Sequence, residues 1–194
     1  MRAIEASLLQ GSELYREVVL DKVAHARESV LIATANVKDM QVERGGKFAS
    51  VVGLFSELAG RGVELRVLHA ELPSRPFRAS FEKRRQLTAG GLAFKICPRV
   101  HFKAILVDGA WAYFGSANLT GAGLGAKSDG RRNFELGLCT EDFETVDRIR
   151  ALFEAVWSGV ECMSCKLRSV CPDPIGDAEP RSIVRLGRAR RLRR

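Results

Sequence analysis

His101 and Lys103 stand two residues apart, followed by Asp108-Gly109 and then by Gly115-Ser116-Ala117-Asn118. In an extended chain, residues two apart share a face, so the imidazole and the ammonium project together. Asp-Gly between apolar runs signals a tight turn, and VHFKAILVDGAWAYFGSAN (100–118) reads as a β-hairpin. If the loop has two residues, Val107 pairs with Ala110 and Ser116 lies opposite His101. If it has four, Ser116 faces Lys103 and Asn118 faces His101. Either register gathers an imidazole, an ammonium, a hydroxyl and an amide at the open end of one hairpin, where Gly115 lets a backbone approach closely. A nucleophile beside a cation and neutral donors suits attack on an anionic, tetrahedral centre. Phosphate fits best.

The elements that must position these residues alternate between helical and extended patterns. Residues 12–28 and 47–60 show helical spacing, with Ser12 a candidate N-cap and Gly60 a stop. SVLIATAN (29–36), VELRVLHA (63–70), LAFKIC (92–97) and NFELGLCT (133–140) read as strands, and 74–89 as polar helix. EDFETVDRIRALFEAVW (141–157) is the clearest helix. Its first turn is acidic, and Phe143, Val146, Ile149, Leu152, Phe153, Val156 and Trp157 form its expected core face. Alternation of this kind predicts an α/β fold whose sheet, made mixed by the hairpin, is flanked by helices on both faces. His25 falls in a helical pattern and His69 near a strand end, so both read as packing or surface residues.

The pattern His101-x-Lys103-x4-Asp108-x6-Gly115-Ser116-x-Asn118 resembles the HxK-x4-D-x6-GSxN signature of the phospholipase D superfamily. The run before it, the NFE after it and the closing LFEAVW helix extend the resemblance over about residues 12–157. It implies a phosphodiesterase domain over 1–157, with His101 as nucleophile or acid/base, Lys103 holding phosphoryl oxygens, and Ser116 and Asn118 donating to them. Glu135 matches the acidic partner that holds the histidine's other nitrogen and fixes its tautomer. Asp108 belongs to the catalytic signature, although an Asp-Gly turn calls for Asp on backbone grounds alone. Many members carry two HxK motifs and this chain carries one, as the short members do that pair two identical chains face to face. The implied chemistry needs no divalent metal. One imidazole attacks phosphorus, the other protonates the leaving oxygen, and two lysines neutralise the charge.

The Gly-rich stretch GAGLGAKSDGRR (121–132) lacks the ending and the strand-to-helix context of a nucleotide-phosphate loop. Its Lys127, Arg131 and Arg132 are candidate contacts to substrate phosphates, or a solvated loop. The formal net charge of +8 is concentrated in residues 181–194, which hold seven arginines and no acid. The Arg-rich tail (177–194) reads as a disordered extension able to contact polyanions. No apolar run approaches the ~18 residues that span a bilayer, and the N-terminus lacks the pattern of an export signal. A cytoplasmic location is therefore expected, and an odd count of five cysteines disfavours a disulfide framework.

Three cysteines crowd into the segment 158–176 as Cys162-x2-Cys165-x5-Cys171-Pro172. Soft ligands at this spacing suit a structural zinc or an iron–sulfur cluster, and the pattern is similar to the C-terminal cysteines of certain iron–sulfur nucleases. A fourth ligand would be Cys139 or Cys97. The leading expectation is a nuclease working as a homodimer. The alternatives are a phospholipid hydrolase or transphosphatidylase docking on anionic membranes, and a catalytically silent nucleic-acid-binding module.

Overall fold

The computed structural model describes residues 2–174, so the Arg-rich tail lies outside the described residues. The chain folds into a seven-stranded mixed sheet. Strand β1 (Ser7–Gln10) is followed by a wide-wound helical segment over Leu14–Lys22 and a tighter turn over Val23–His25. Next come β2 (Ser29–Thr34), a small hairpin of β3 (Gln41–Arg44) and β4 (Lys47–Ser50), and helix α1 (Val51–Gly60). Strand β5 (Glu64–His69), helix α2 (Arg75–Glu82), a helical turn over Leu87–Gly91 and β6 (Ala93–Ile96) complete the first half. The site hairpin is β7 (Lys103–Val107) and β8 (Trp111–Gly115). Strand β9 (Leu136–Thr140) and helix α3 (Phe143–Ser158) end the sheet domain.

The strand order is β1-β9-β8-β7-β2-β5-β6, with β2, β5 and β6 parallel and the remaining neighbours antiparallel. The expected mixed sheet with helices on both faces is what forms. One face carries Val30, Ile32, Val67, Ile105 and Tyr113, packed under α1, α2 and the first helical segment. The other carries Leu31, Ala33, Leu106 and Ala112 under α3. This coverage on two faces explains why the central strands are nearly continuous apolar runs.

Two local expectations change. The run 47–60 is not one helix: Gly45 and Gly46 both take positive φ and close the β3–β4 hairpin, and Ser50 then caps α1 by accepting from Val52 N at 3.1 Å. On α3, Val146 and Phe153 are buried as expected, but Phe143 and Leu152 are exposed. Only one side of a single helix meets the sheet, so the buried stripe is narrower than the apolar stripe. Asp142 caps α3 and Gly159, at φ 74°, ends it.

Candidate active site

The site forms where one end of the sheet brings four chain segments together. His101 precedes β7, Lys103 begins it, Ser116 follows β8, and Glu135 precedes β9. The hairpin register is neither of those expected. Lys103 pairs with Gly115 and Val107 with Trp111, so three residues, Asp108 to Ala110, make the connection. Asp108 and Gly109 both take left-handed conformations there, at φ 54° and 65°. The half-step shift puts Gly115 opposite Lys103 and carries Ser116 past the ladder toward β9.

Glycine at 115 is a steric requirement. A Cβ there would meet Leu136 O at 2.4 Å, Gly137 Cα at 2.6 Å and the Tyr113 hydroxyl at 2.7 Å. The Tyr113 ring likewise fills the space over Gly137. Burial pushes the Tyr113 hydroxyl up to about 12, offset in part by the Ala117 amide, so it stays protonated.

Ser116 is held on β9: its hydroxyl donates to Glu135 Oε2 and accepts from Leu136 N at 3.1 Å. A hydroxyl has one proton, so Ser116 reaches a phosphoryl oxygen only by rotating away from Glu135. Glu135 also accepts from Asn133 Nδ2 at 3.1 Å. Within one chain, therefore, Glu135 orients Ser116 and Asn133, and the expected hydrogen bond to the other nitrogen of His101 is not formed.

Asn118 is fixed from β2. Its Oδ1 accepts from Ala35 N at 3.1 Å and Asn36 N at 3.2 Å, and it lies 3.1 Å from Thr34 Oγ1. With the oxygen committed, the amide nitrogen is the end left to donate to a substrate. Thr34, 1% exposed, also accepts from Leu119 N at 3.0 Å, tying β2 to the segment after β8. Sequence pattern gave no sign of this positioning role, because a threonine in an apolar strand reads as strand propensity. Lys103 Nζ donates to His101 O at 2.6 Å, which leaves two of its three donors. His101 is exposed to solvent.

Asp108 leaves the candidate site. It sits at the opposite end of the hairpin, where its carboxylate accepts from Arg27 N, Glu28 N and Ser29 N at 2.8–3.1 Å. It clamps the chain at the start of β2. Of the loop cations, Lys127 and Arg131 are exposed, whereas Arg132 is ion-paired with Asp129. His25 Nδ1 meets Asp21 O at 2.7 Å on the surface. His69 is fully buried, edge-on to Phe94 and 2.8 Å from Glu71 O, and burial lowers its pKa. Cys139 lies on β9, five strand spacings from the β6 edge, or roughly 24 Å at ~4.8 Å each. It is not the fourth partner of the C-terminal cysteines.

One end of this α/β sheet thus presents an imidazole, an ammonium, an amide and a hydroxyl. The family model described as "Cardiolipin synthase, PLD-like domain" matches residues 19–157, and the chain belongs to this phospholipase D-like family. The fold is similar to that of Nuc, a phospholipase D family member from Salmonella typhimurium. Identity is 18%, the TM-score is 0.55, and 79% of this chain and 95% of that one are covered. NucT from Helicobacter pylori gives 18% identity and a TM-score of 0.52 over the same shares. The phosphatidylserine synthase of Haemophilus influenzae Rd KW20 gives 13% and 0.51, over 78% of this chain and 38% of that chain. A comparison with curated proteins finds no match.

Proposed function

We propose that this chain is a metal-independent phosphodiesterase that hydrolyses nucleic acid as a homodimer, through a phosphohistidine. The observation that carries this reading is the convergence of His101, Lys103 and Asn118 at one sheet end, where each chain offers one solvent-exposed imidazole. In the first step an imidazole nitrogen of one His101 attacks phosphorus, forming the N–P bond as the P–O bond to the leaving group breaks. The leaving oxygen takes a proton from the second chain's His101. That second imidazole, now neutral, removes a proton from water, which attacks phosphorus and releases the first histidine. The lysines and the Asn118 amide stabilise charge on the non-bridging oxygens.

A surface suited to the second copy lies beside the site. At the β1–β9 edge of the sheet Leu8 and Leu136 are 61% and 56% exposed, and Phe134, just before β9, is 107% exposed. Full burial of such side chains is worth ~1.5–3 kcal/mol each, enough to bias association. Lys127 and Arg131 on the neighbouring loop suit a polyanionic strand, and no helix among the described residues is long and apolar enough to cross a membrane.

The test offers the purified protein labelled DNA, RNA and phospholipid vesicles side by side in EDTA. Cleavage of nucleic acid in EDTA is expected. Turnover of phospholipid alone would transfer the reading to a lipid substrate, and strict dependence on Mg²⁺ would overturn the mechanism.

A further inference from the structure

An apolar hollow near the C-terminal end of α3 holds about 300 Å³, and four of the five cysteines line it. Cys162, Cys165 and Cys171 come from the turns that follow α3, and Cys97 comes from the loop after β6. All four are free and half-buried. Cys97 joins them because the segment after α3 folds back onto that loop, where Arg99 pairs with Glu161 at 2.9 Å. Four thiols from two separate stretches of chain have thus been brought to one cavity.

Two occupants take four thiolates, and they ask for different sulfur separations. A tetrahedral zinc with Zn–S ≈ 2.3 Å needs its sulfurs about 3.8 Å apart. Among the described residues no three His, Cys, Asp or Glu side chains are gathered as a single ion requires. A cuboidal cluster gives each thiolate its own iron, so it holds the sulfurs farther apart around a central volume. Charge agrees with this. Four thiolates around such a cluster leave net negative charge, and Arg99 lines the cavity with its guanidinium within electrostatic reach of Cys165. Lys95, on β6, stands within electrostatic reach of Cys162.

We propose that Cys97, Cys162, Cys165 and Cys171 bind a four-iron, four-sulfur cluster that fastens the segment after α3 to the loop carrying His101. Each cysteine gives up its proton and binds one iron, and the iron and sulfide come from outside the chain. The role is architectural. Cys97 lies four residues before His101, and Val100 N already bonds Cys97 O at 2.9 Å, so ligation stiffens the stretch from which the imidazole projects.

The full chain is purified anaerobically and reconstituted with ferrous iron, sulfide and a thiol reductant. The expected result is about four irons and about four sulfides per chain, with visible absorption that dithionite bleaches. Cys97→Ser, Cys162→Ser, Cys165→Ser and Cys171→Ser should each lose most of that absorption, while Cys139→Ser keeps it. As a readout that needs no variant to fold, thiol labelling of the wild-type chain should rise at those four cysteines together when iron is stripped. One zinc without sulfide, disulfide-bonded pairs, or four thiols that label equally before and after reconstitution would each overturn the proposal. So would a Cys139→Ser chain that loses as much iron as Cys97→Ser. None of these readouts depends on what the His101 site hydrolyses.

Discussion

The two ends of the β7–β8 hairpin carry residues of one contiguous motif and do opposite work. At the open end, His101 is solvent-exposed and without a side-chain hydrogen bond, while Lys103, Ser116 and Asn118 are pinned around it by neighbouring backbone. At the closed end, Asp108 faces three backbone amides at the start of β2. The open end leaves donors for a substrate, whereas the closed end uses its carboxylate within the fold. A fixed spacing between His101 and Asp108 therefore reflects the length of a strand between a chemical end and a structural one. It does not place both residues in one site.

The sharpest way to break that comparison is at His101. His101→Ala and His101→Asn should leave folding and dimerisation intact and lower turnover by on the order of 10³ or more, because attack and protonation both fail. Mixed dimers of wild-type and His101→Ala chains should not complete turnover, as measured on affinity-separated heterodimers. If they keep half the wild-type rate, each chain holds an independent site.

Asp108→Ala should behave in the opposite manner. Loss of charge-assisted bonds to three amides, and an alanine forced to positive φ, should cost roughly 2–4 kcal/mol in urea unfolding. At temperatures where the variant is folded, kcat should be unchanged. A large drop in kcat with unaltered stability would return Asp108 to the chemistry.

Thr34→Val tests the link between β2 and Asn118. The isostere keeps volume and removes the hydroxyl that meets Asn118 Oδ1 and accepts from Leu119 N. We expect kcat to fall by about 10- to 100-fold with a smaller change in KM, since misplacing a donor weakens transition-state contacts more than ground-state ones. Thr34→Ser should recover most of the loss.

The smallest effect concerns His69, which the fold keeps neutral by burial against Phe94. Its folded pKa is lowered, so below an unfolded value of ~6.5 the unfolded chain binds a proton that the folded chain does not. Its contribution to stability is present above ~6.5 and declines as pH falls toward the lowered folded value. The urea midpoint of the wild-type chain should drop between pH 7.5 and pH 5.5. His69→Gln should show a shallower decline over the same interval, and identical slopes would remove His69 as the cause.

Sequence alone determined the alternation of elements, the hairpin, the motif residues and the family they resemble. Those signals are local: turn chemistry at Asp108-Gly109, period-two and helical apolar patterns, and short fixed spacings. The β3–β4 hairpin escaped because Phe48, Val51 and Val52 fit a helical spacing, and the Gly45-Gly46 turn outweighs that pattern only once the chain is folded. Tertiary structure decided the register, since a hairpin loop of two, three or four residues differs little in local preference. What selects three is the clamp on Asp108 from β2 and the close approach of Leu136 and Tyr113 to Gly115. It also decided that Glu135 holds Ser116, that Thr34 holds Asn118, and that Cys97 rather than Cys139 meets the C-terminal cysteines. Each of these contacts joins segments far apart in the chain, and only the strand order of the sheet sets their distance.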